Sequence, residues 1–254
     1  MGYSVTQRIK SIKQPYGGYL PRKDFVEESL GDGIEDLYDK ENIHPNLVGI
    51  VVDYMTRLMS GSSAIDAFKI SLLGAMIINE RDNASKLLSD IKGLGDEDIV
   101  NAAKLVGFDV CFRYGPIGYR PFDEINPDEH TIQNIRVMVQ RSLHFPECYG
   151  PKVLDGFTLE GGYTDTVSAG DGDFITADTL WDFKVSKEKL DKDQTLQLLM
   201  YWRMGLHSIH PEFQNIKYLG IYNPRMNKVY RIAVENISED VILEVEKDVI
   251  GYSD

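Results

Sequence analysis

GDGDFITADTLWDFKVSK, residues 170–187, is the stretch whose reading decides this chain. Acidic residues are poor strand formers. Yet Asp171 and Asp173 precede a short turn here, and Asp182 and Lys184 follow it. On an extended strand alternate side chains share a face. Asp171 and Asp173 therefore point one way. Asp182 and Lys184 do likewise, while Trp181, Phe183 and Val185 point the other way into a core. A tight hairpin through Thr176, Ala177, Asp178 and Thr179 brings the two polar pairs together. Two carboxylates about 4 Å apart repel by roughly 4 kcal/mol at an effective dielectric near 20, a sizeable part of a domain's net stability. A hard divalent cation reverses that sign, because carboxylate oxygens are what Mg²⁺ or Mn²⁺ prefer. A neighbouring lysine then stabilises charge developing on a phosphate or orients an attacking water. The bland alternative is a surface hairpin whose solvated Asp182–Lys184 contact contributes little.

Working outward, the segments FTLEGGYTDTV, AGDGDFIT and TLWDFKVS read as three successive strands with tight turns. KDQTLQLLMYWRMGLHS reads as a helix with Asp191 or Asp193 as its cap. IKYLGIYNP and NKVYRIAV form a hairpin, and ISEDVILEVEKDVIGY a closing helix. Upstream, HPNLVGIVVDYMTRLMSG reads as a buried helix, with Pro45 in its first turn and Gly61 closing it. Its circumference is apolar apart from a narrow stripe of Asn46, Gly49, Asp53, Thr56, Arg57 and Ser60. Between Gly61 and the strands, AIDAFKISLLGAMIINE, NASKLLSDIKG, DEDIVNAAKLVGF and DEHTIQNIRVMVQRSLHF each carry an apolar stripe of helical period. The expected division is therefore residues 1–61, a helical subdomain over 62–150, and a strand-rich part over 151–254. Helix, helices, strands, helix, strands is an α/β order.

The bulk properties narrow the function. With 254 residues, 43% of them hydrophobic, the chain buries a sizeable core. No apolar run approaches a membrane span, and the first twenty residues lack the apolar centre of a signal peptide. Two cysteines, Cys111 and Cys148, make no disulfide framework and cannot hold a four-thiolate iron–sulfur cluster. A reducing cytoplasm is the expected setting. A net charge of −13 argues against gripping nucleic acid by bulk charge, though not against a local basic groove.

The residues in this order resemble a known pattern. Gly170 to Asp173, then Asp182-Phe183-Lys184, then Gln197 to Tyr201 (QLLMY) on a helix match the G-x-x-D, D/E-x-K and Q-x-x-x-Y motifs of the PD-(D/E)XK nucleases, and specifically their RecB-type exonuclease branch. The resemblance covers about the last hundred residues. It implies a restriction-endonuclease-like mixed central sheet flanked by helices, with residues 62–150 as a helical insertion. It implies Mg²⁺ or Mn²⁺ held by Asp173, Asp182 and the Phe183 carbonyl, with Lys184 as the catalytic lysine and Gln197 and Tyr201 over the site. It also implies an upstream helix with a glycine followed four residues later by a metal-facing side chain. Gly49 and Asp53 stand in that relation, with Asp where His or Glu is usual, and His44 and Glu160 are competing ligands. The implied partner is DNA, contacted by Lys187, Gln194, Arg203 and, in the loop FRYGPIGYRP, by Arg113 and Arg120. Lys184→Ala is expected to abolish cleavage with little loss of stability, as for an exposed lysine. A nuclease-like module that binds or scaffolds without cutting is the alternative.

Overall fold

The structure, a computed structural model, describes residues 2–31, 33 and 36–253. The chain opens with β1 (Tyr3–Ser4), α1 (Val5–Ser11) and β2 (Val26–Ser29). A helical run follows: α2 (Pro45–Met59), α3 (Ala64–Ala67), α4 (Lys69–Ile77), α5 (Arg81–Asp90), α6 (Asp96–Val106), α7 (Asp109–Tyr114) and α8 (Glu129–Tyr149). Then come β3 (Leu154–Thr158), β4 (Val167–Ala169), β5 (Asp171–Ile175), β6 (Thr179–Phe183), α9 (Lys192–Leu206), β7 (Tyr218–Asn223), β8 (Lys228–Ala233) and α10 (Glu239–Glu244). Contacts gather these into two units, Met1–Gly31 with Pro146–Asp254, and Asp32–Phe145. The division differs from boundaries at 61 and 150: α2 groups with the helices, because its apolar face packs against α3 and α6.

The sheet unit is α/β. Six strands lie in the order β2-β8-β7-β6-β5-β3, all neighbours antiparallel except β6 and β7. A parallel pair needs a crossover, and α9 supplies it. Its buried face, with Leu198, Leu199 and Met200, joins Leu180, Leu219 and Ile232 of the sheet in one core. Asp191 starts α9, accepting from the amides of Asp193 and Gln194 while the Gln194 side chain accepts from the Asp191 amide.

One strand expectation changes, and one edge strand has no counterpart in the sequence reading. FTLEGGYTDTV is not one strand: β3 ends at Thr158, the chain turns through Gly161 at φ +92°, and Val167–Ala169 pairs with β1 in a separate two-stranded sheet. The acidic stretch VEES forms the edge strand β2 on β8. Every residue of β2 is exposed, so no apolar alternation marks it. A Glu27–Lys228 ion pair fastens that edge.

In the helical unit, His44 caps α2 and Pro45 occupies its first turn. The expected single helix over 64–80 breaks at Phe68, which leaves helical geometry (φ −107°, ψ 21°) with its ring fully buried. The segment FRYGPIGYRP is helical in its first part, as the end of α7, rather than loop throughout. A Cβ at Gly74 of α4 would collide with the Phe108 carbonyl, so glycine there lets α4 lie close to the start of α7.

Candidate active site

The polar cluster is built on the β5–β6 hairpin. Phe174 pairs with Trp181 and Ile175 with Leu180, and the Thr176 amide donates to the Thr179 carbonyl at 3.0 Å to close the turn. Continuing that register one step sets Asp173 opposite Asp182. Directly opposed residues share a face, with Cβ atoms about 4.5–5.5 Å apart. On the other face Trp181 is fully buried over Gly220, where any Cβ would meet the indole. Gly172 likewise lies beneath the Phe157 ring. The alternation about Trp181 delivers Asp182, and Asp173 opposite it, to the face away from the indole.

Around that pair the contacts are specific. The Phe183 amide donates to Asp173 Oδ2 at 2.6 Å. Lys184 Nζ donates to Asp182 Oδ1 at 3.0 Å and lies 3.4 Å from Gln197 Oε1. Gln197 Nε2 in turn donates to Tyr201 Oη at 2.9 Å. Asp182, Lys184, Gln197 and Tyr201 thus form one line of contacts from β6 onto α9. Gly170 has its own reason to be small: a Cβ would stand 2.8 Å from Val5 Cγ2 and 3.5 Å from Tyr201 Cε1.

Asp182 is 2% exposed, and its Oδ2 is buried without a hydrogen-bond partner. Among the described residues one other carboxylate oxygen, Glu212 Oε2, shares that condition. An orphaned buried acceptor costs about 1–3 kcal/mol, more when charged. Burial disfavours the Lys184 ammonium, but the charges of Asp182 and Asp173 outweigh it and hold its pKa above the ordinary lysine value. Burial also pushes the Tyr201 hydroxyl up, against the Gln197 hydrogen bond and with the charges of Asp182, Asp171 and Asp173 adding to it. Three aspartates around one lysine leave an electronegative site.

The residues fit a small hard cation. Among the described residues no three His, Cys, Asp or Glu side chains form a group that could hold an ion. Asp173 and Asp182 would bind it as a pair, completed by the Phe183 carbonyl and by water or substrate oxygens. Mg²⁺ is commonly held that way, by one or two carboxylates and substrate phosphates.

The other expected residues fall in different places. Asp171 is exposed at the start of β5, and Lys187 is exposed between β6 and α9. Gln194 is the capping partner of Asp191. Arg203 is committed to Glu246, 2.7 Å away, with its guanidinium over the Trp202 ring. Glu160 sits in the turn after β3, not on the strand. Asp53 belongs to the helical unit, where it takes Arg57 Nε at 2.9 Å. His44 Nδ1 accepts from the Asn46 amide as the helix cap. Arg113 lies 3.6 Å from Asp109, and Arg120 is exposed; both are in the helical unit.

Sequence reasoning saw Asp191 only as a cap, yet its charge also bears on Lys184. It missed Asn223, whose Nδ2 donates to the Ser186 carbonyl at 2.8 Å and pins the segment leaving β6. The two are 37 residues apart, and no local pattern links them. No helix among the described residues is long and apolar enough to cross a membrane. Comparison with protein-family models, with curated proteins and with solved structures gives no match.

Proposed function

We propose that the sheet unit is a metal-dependent deoxyribonuclease of the PD-(D/E)XK type, with a restriction-endonuclease-like core, acting as an exonuclease in DNA recombination, repair or phage-type DNA processing. One observation carries the reading: the buried, unpartnered Asp182 Oδ2, set beside a second carboxylate and a lysine. A purely structural carboxylate at that depth would have its lone pairs filled.

In this reading Asp173, Asp182 and the Phe183 carbonyl would hold Mg²⁺ or Mn²⁺, which would supply Lewis-acid polarisation of a phosphoryl oxygen and lower the pKa of bound water. Lys184, kept protonated and aimed by Asp182 and Gln197, donates to the phosphoryl oxygen on which negative charge grows. Tyr201 fixes the Gln197 amide and, through it, the lysine. Exposed Lys187 provides local positive charge that a chain of net charge −13 lacks in bulk.

The test is cleavage of linear, circular and single-stranded DNA by the purified chain with Mg²⁺ and with Mn²⁺. Cleavage of linear but not circular substrate, lost in Asp173→Asn, supports the exonuclease. A second reading, a nuclease-like module that binds without cutting, draws on the engagement of Asp53, the acidic residue expected upstream, by Arg57. A Mn²⁺-dependent thermal shift that disappears in Asp173→Asn, without cleavage of any substrate, would favour it.

A further inference from the structure

The helical unit contains a cavity of about 530 Å³, outside the carboxylate site, whose lining includes Arg113 and Arg120, two of the residues that the nuclease resemblance assigns to DNA contact. That volume falls within the range of small-molecule sites, about 300–1,000 Å³. Its apolar lining comes from Leu47, Ile50, Val106, Val110 and Ile125, contributed by α2, α6, α7 and the chain just before α8. Arg113 and Arg120 line it as well, together with His44 at the start of α2. Asn46 and Leu47 of the first turn of α2 belong to the wall too, their amides already held by His44. Arg120 is exposed, and Arg113, though directed to Asp109 and the Tyr54 hydroxyl, keeps 44% of its side chain exposed; guanidinium groups recognise phosphate.

Two carboxylates share the cavity, and they differ. Asp109 is saturated: Ser71 and Tyr54 hydroxyls donate to its two oxygens at 2.5 and 2.7 Å, and Arg113 Nε stands 3.6 Å away. It orients Arg113 and has little capacity left for a ligand. Glu124 is exposed at the rim, and an exposed carboxylate beside a phosphate site is suited to accept from the hydroxyls of a sugar. Tyr114, 79% exposed, offers an open ring in the same lining, and such rings stack on planar bases. The Phe108–Tyr119 stack, with ring centroids 5.6 Å apart, anchors the segment that carries Arg120.

We propose that this cavity binds a nucleoside monophosphate unit: the phosphate on Arg113 and Arg120, the sugar hydroxyls toward Glu124, the base over the apolar wall beside Tyr114. All of its lining residues belong to the helical unit.

Calorimetry on the full chain in EDTA tests it, with AMP, GMP, CMP, UMP, adenosine and inorganic phosphate as probes. At least one monophosphate should bind about tenfold or more tighter than adenosine or phosphate alone. Arg120→Gln should weaken it about tenfold with an unchanged melting temperature, while Asp173→Asn binds as wild type. A 5′-phosphorylated trinucleotide separates the two sources of this chemistry: tighter binding than the free nucleotide identifies a strand end, weaker binding a free metabolite. No binding of any nucleotide, binding no tighter than that of inorganic phosphate, or full affinity in Arg120→Gln overturns the proposal. Equal loss in Asp173→Asn and Arg120→Gln would reassign the nucleotide to the sheet unit and overturn it too.

Discussion

Asp182 in the sheet unit and Asp109 in the helical unit are equally hidden, each 2% exposed. Asp109 has both oxygens filled, by Ser71 and Tyr54 hydroxyls, and Arg113 beside it. Asp182 has one oxygen on Lys184 and the other on nothing, with Asp173 across the hairpin. The contrast teaches how to sort buried charge. A saturated carboxylate belongs to the fold. An unsaturated one next to a like charge lowers stability until something else binds, so its retention points to a ligand.

Breaking the sheet-unit side should have the largest effect. Lys184→Ala is expected to lower DNA cleavage by about 10³-fold or more, roughly 4 kcal/mol of transition-state stabilisation. Its stability cost differs from the sequence expectation. Lys184 is only 29% exposed and donates to the Asp182 carboxylate at 3.0 Å, so removing it leaves a buried charge uncompensated. Lys184→Gln retains a donor toward Asp182 and separates the two effects. It should keep the fold, judged by thermal melting, and still fail to cleave. Full activity in Lys184→Gln would remove the lysine from the mechanism.

The comparison sharpens when each aspartate is replaced. Asp109→Ala strands two buried hydroxyls and should destabilise the helical unit by about 2–4 kcal/mol, read as a drop in the urea midpoint of that unit. Asp173→Asn keeps an oxygen for the Phe183 amide and relieves the repulsion with Asp182. Its stability should lie within about 1 kcal/mol of wild type, and the stabilisation by Mn²⁺ should vanish. If instead Asp173→Asn unfolds the sheet unit and Asp109→Ala is silent, the assignment of one carboxylate to function and the other to structure is reversed.

The two carboxylates also differ in how far they could be read from sequence. The alternation across residues 170–187 is local, so the hairpin, the shared face of Asp173 and Asp182, and the neighbouring Lys184 were all legible. Gln197 and Tyr201 were legible because four residues along a helix share a face. The Asp109 cluster was not, because Tyr54, Ser71 and Asp109 come from three helices separated by long intervals of chain. Only packing brings them together. The edge strand β2 was missed for a different reason: an exposed strand has no buried face to imprint a period of two. The break at Phe68 was hidden because a large apolar residue fits the helical stripe whether or not the helix continues through it.

Asp109 has a pH signature. Burial raises its pKa above the ordinary 3.8, against the opposing pull of Ser71, Tyr54 and Arg113. The folded unit therefore holds that proton more tightly than the unfolded chain. This contribution is fully present below about pH 4 and is lost as pH rises through the raised value. Hydrogen exchange in α4 and α7 should show protection declining across that window, by at most about 1.4 kcal/mol per pH unit for one proton. Asp109→Asn should abolish this component, and an unchanged slope in that variant would assign the pH dependence to other groups.

The smallest effect concerns Asp53, which the family resemblance makes a metal ligand and the structure pairs with Arg57 on α2. Pairs of this kind, four residues apart on a helix, contribute about 0.3–0.5 kcal/mol. Both side chains keep about a third of their exposure, 28% and 31%, so solvent screens the pair further. Asp53→Ala should therefore shift melting by little, and Arg57→Ala should match it. Cleavage in both variants should stay within a few-fold of wild type. A hundredfold loss in Asp53→Ala but not in Arg57→Ala would mean that Asp53 exchanges its arginine for the ion. The carboxylate pair of the hairpin would then be two-thirds of the metal set rather than all of its side chains.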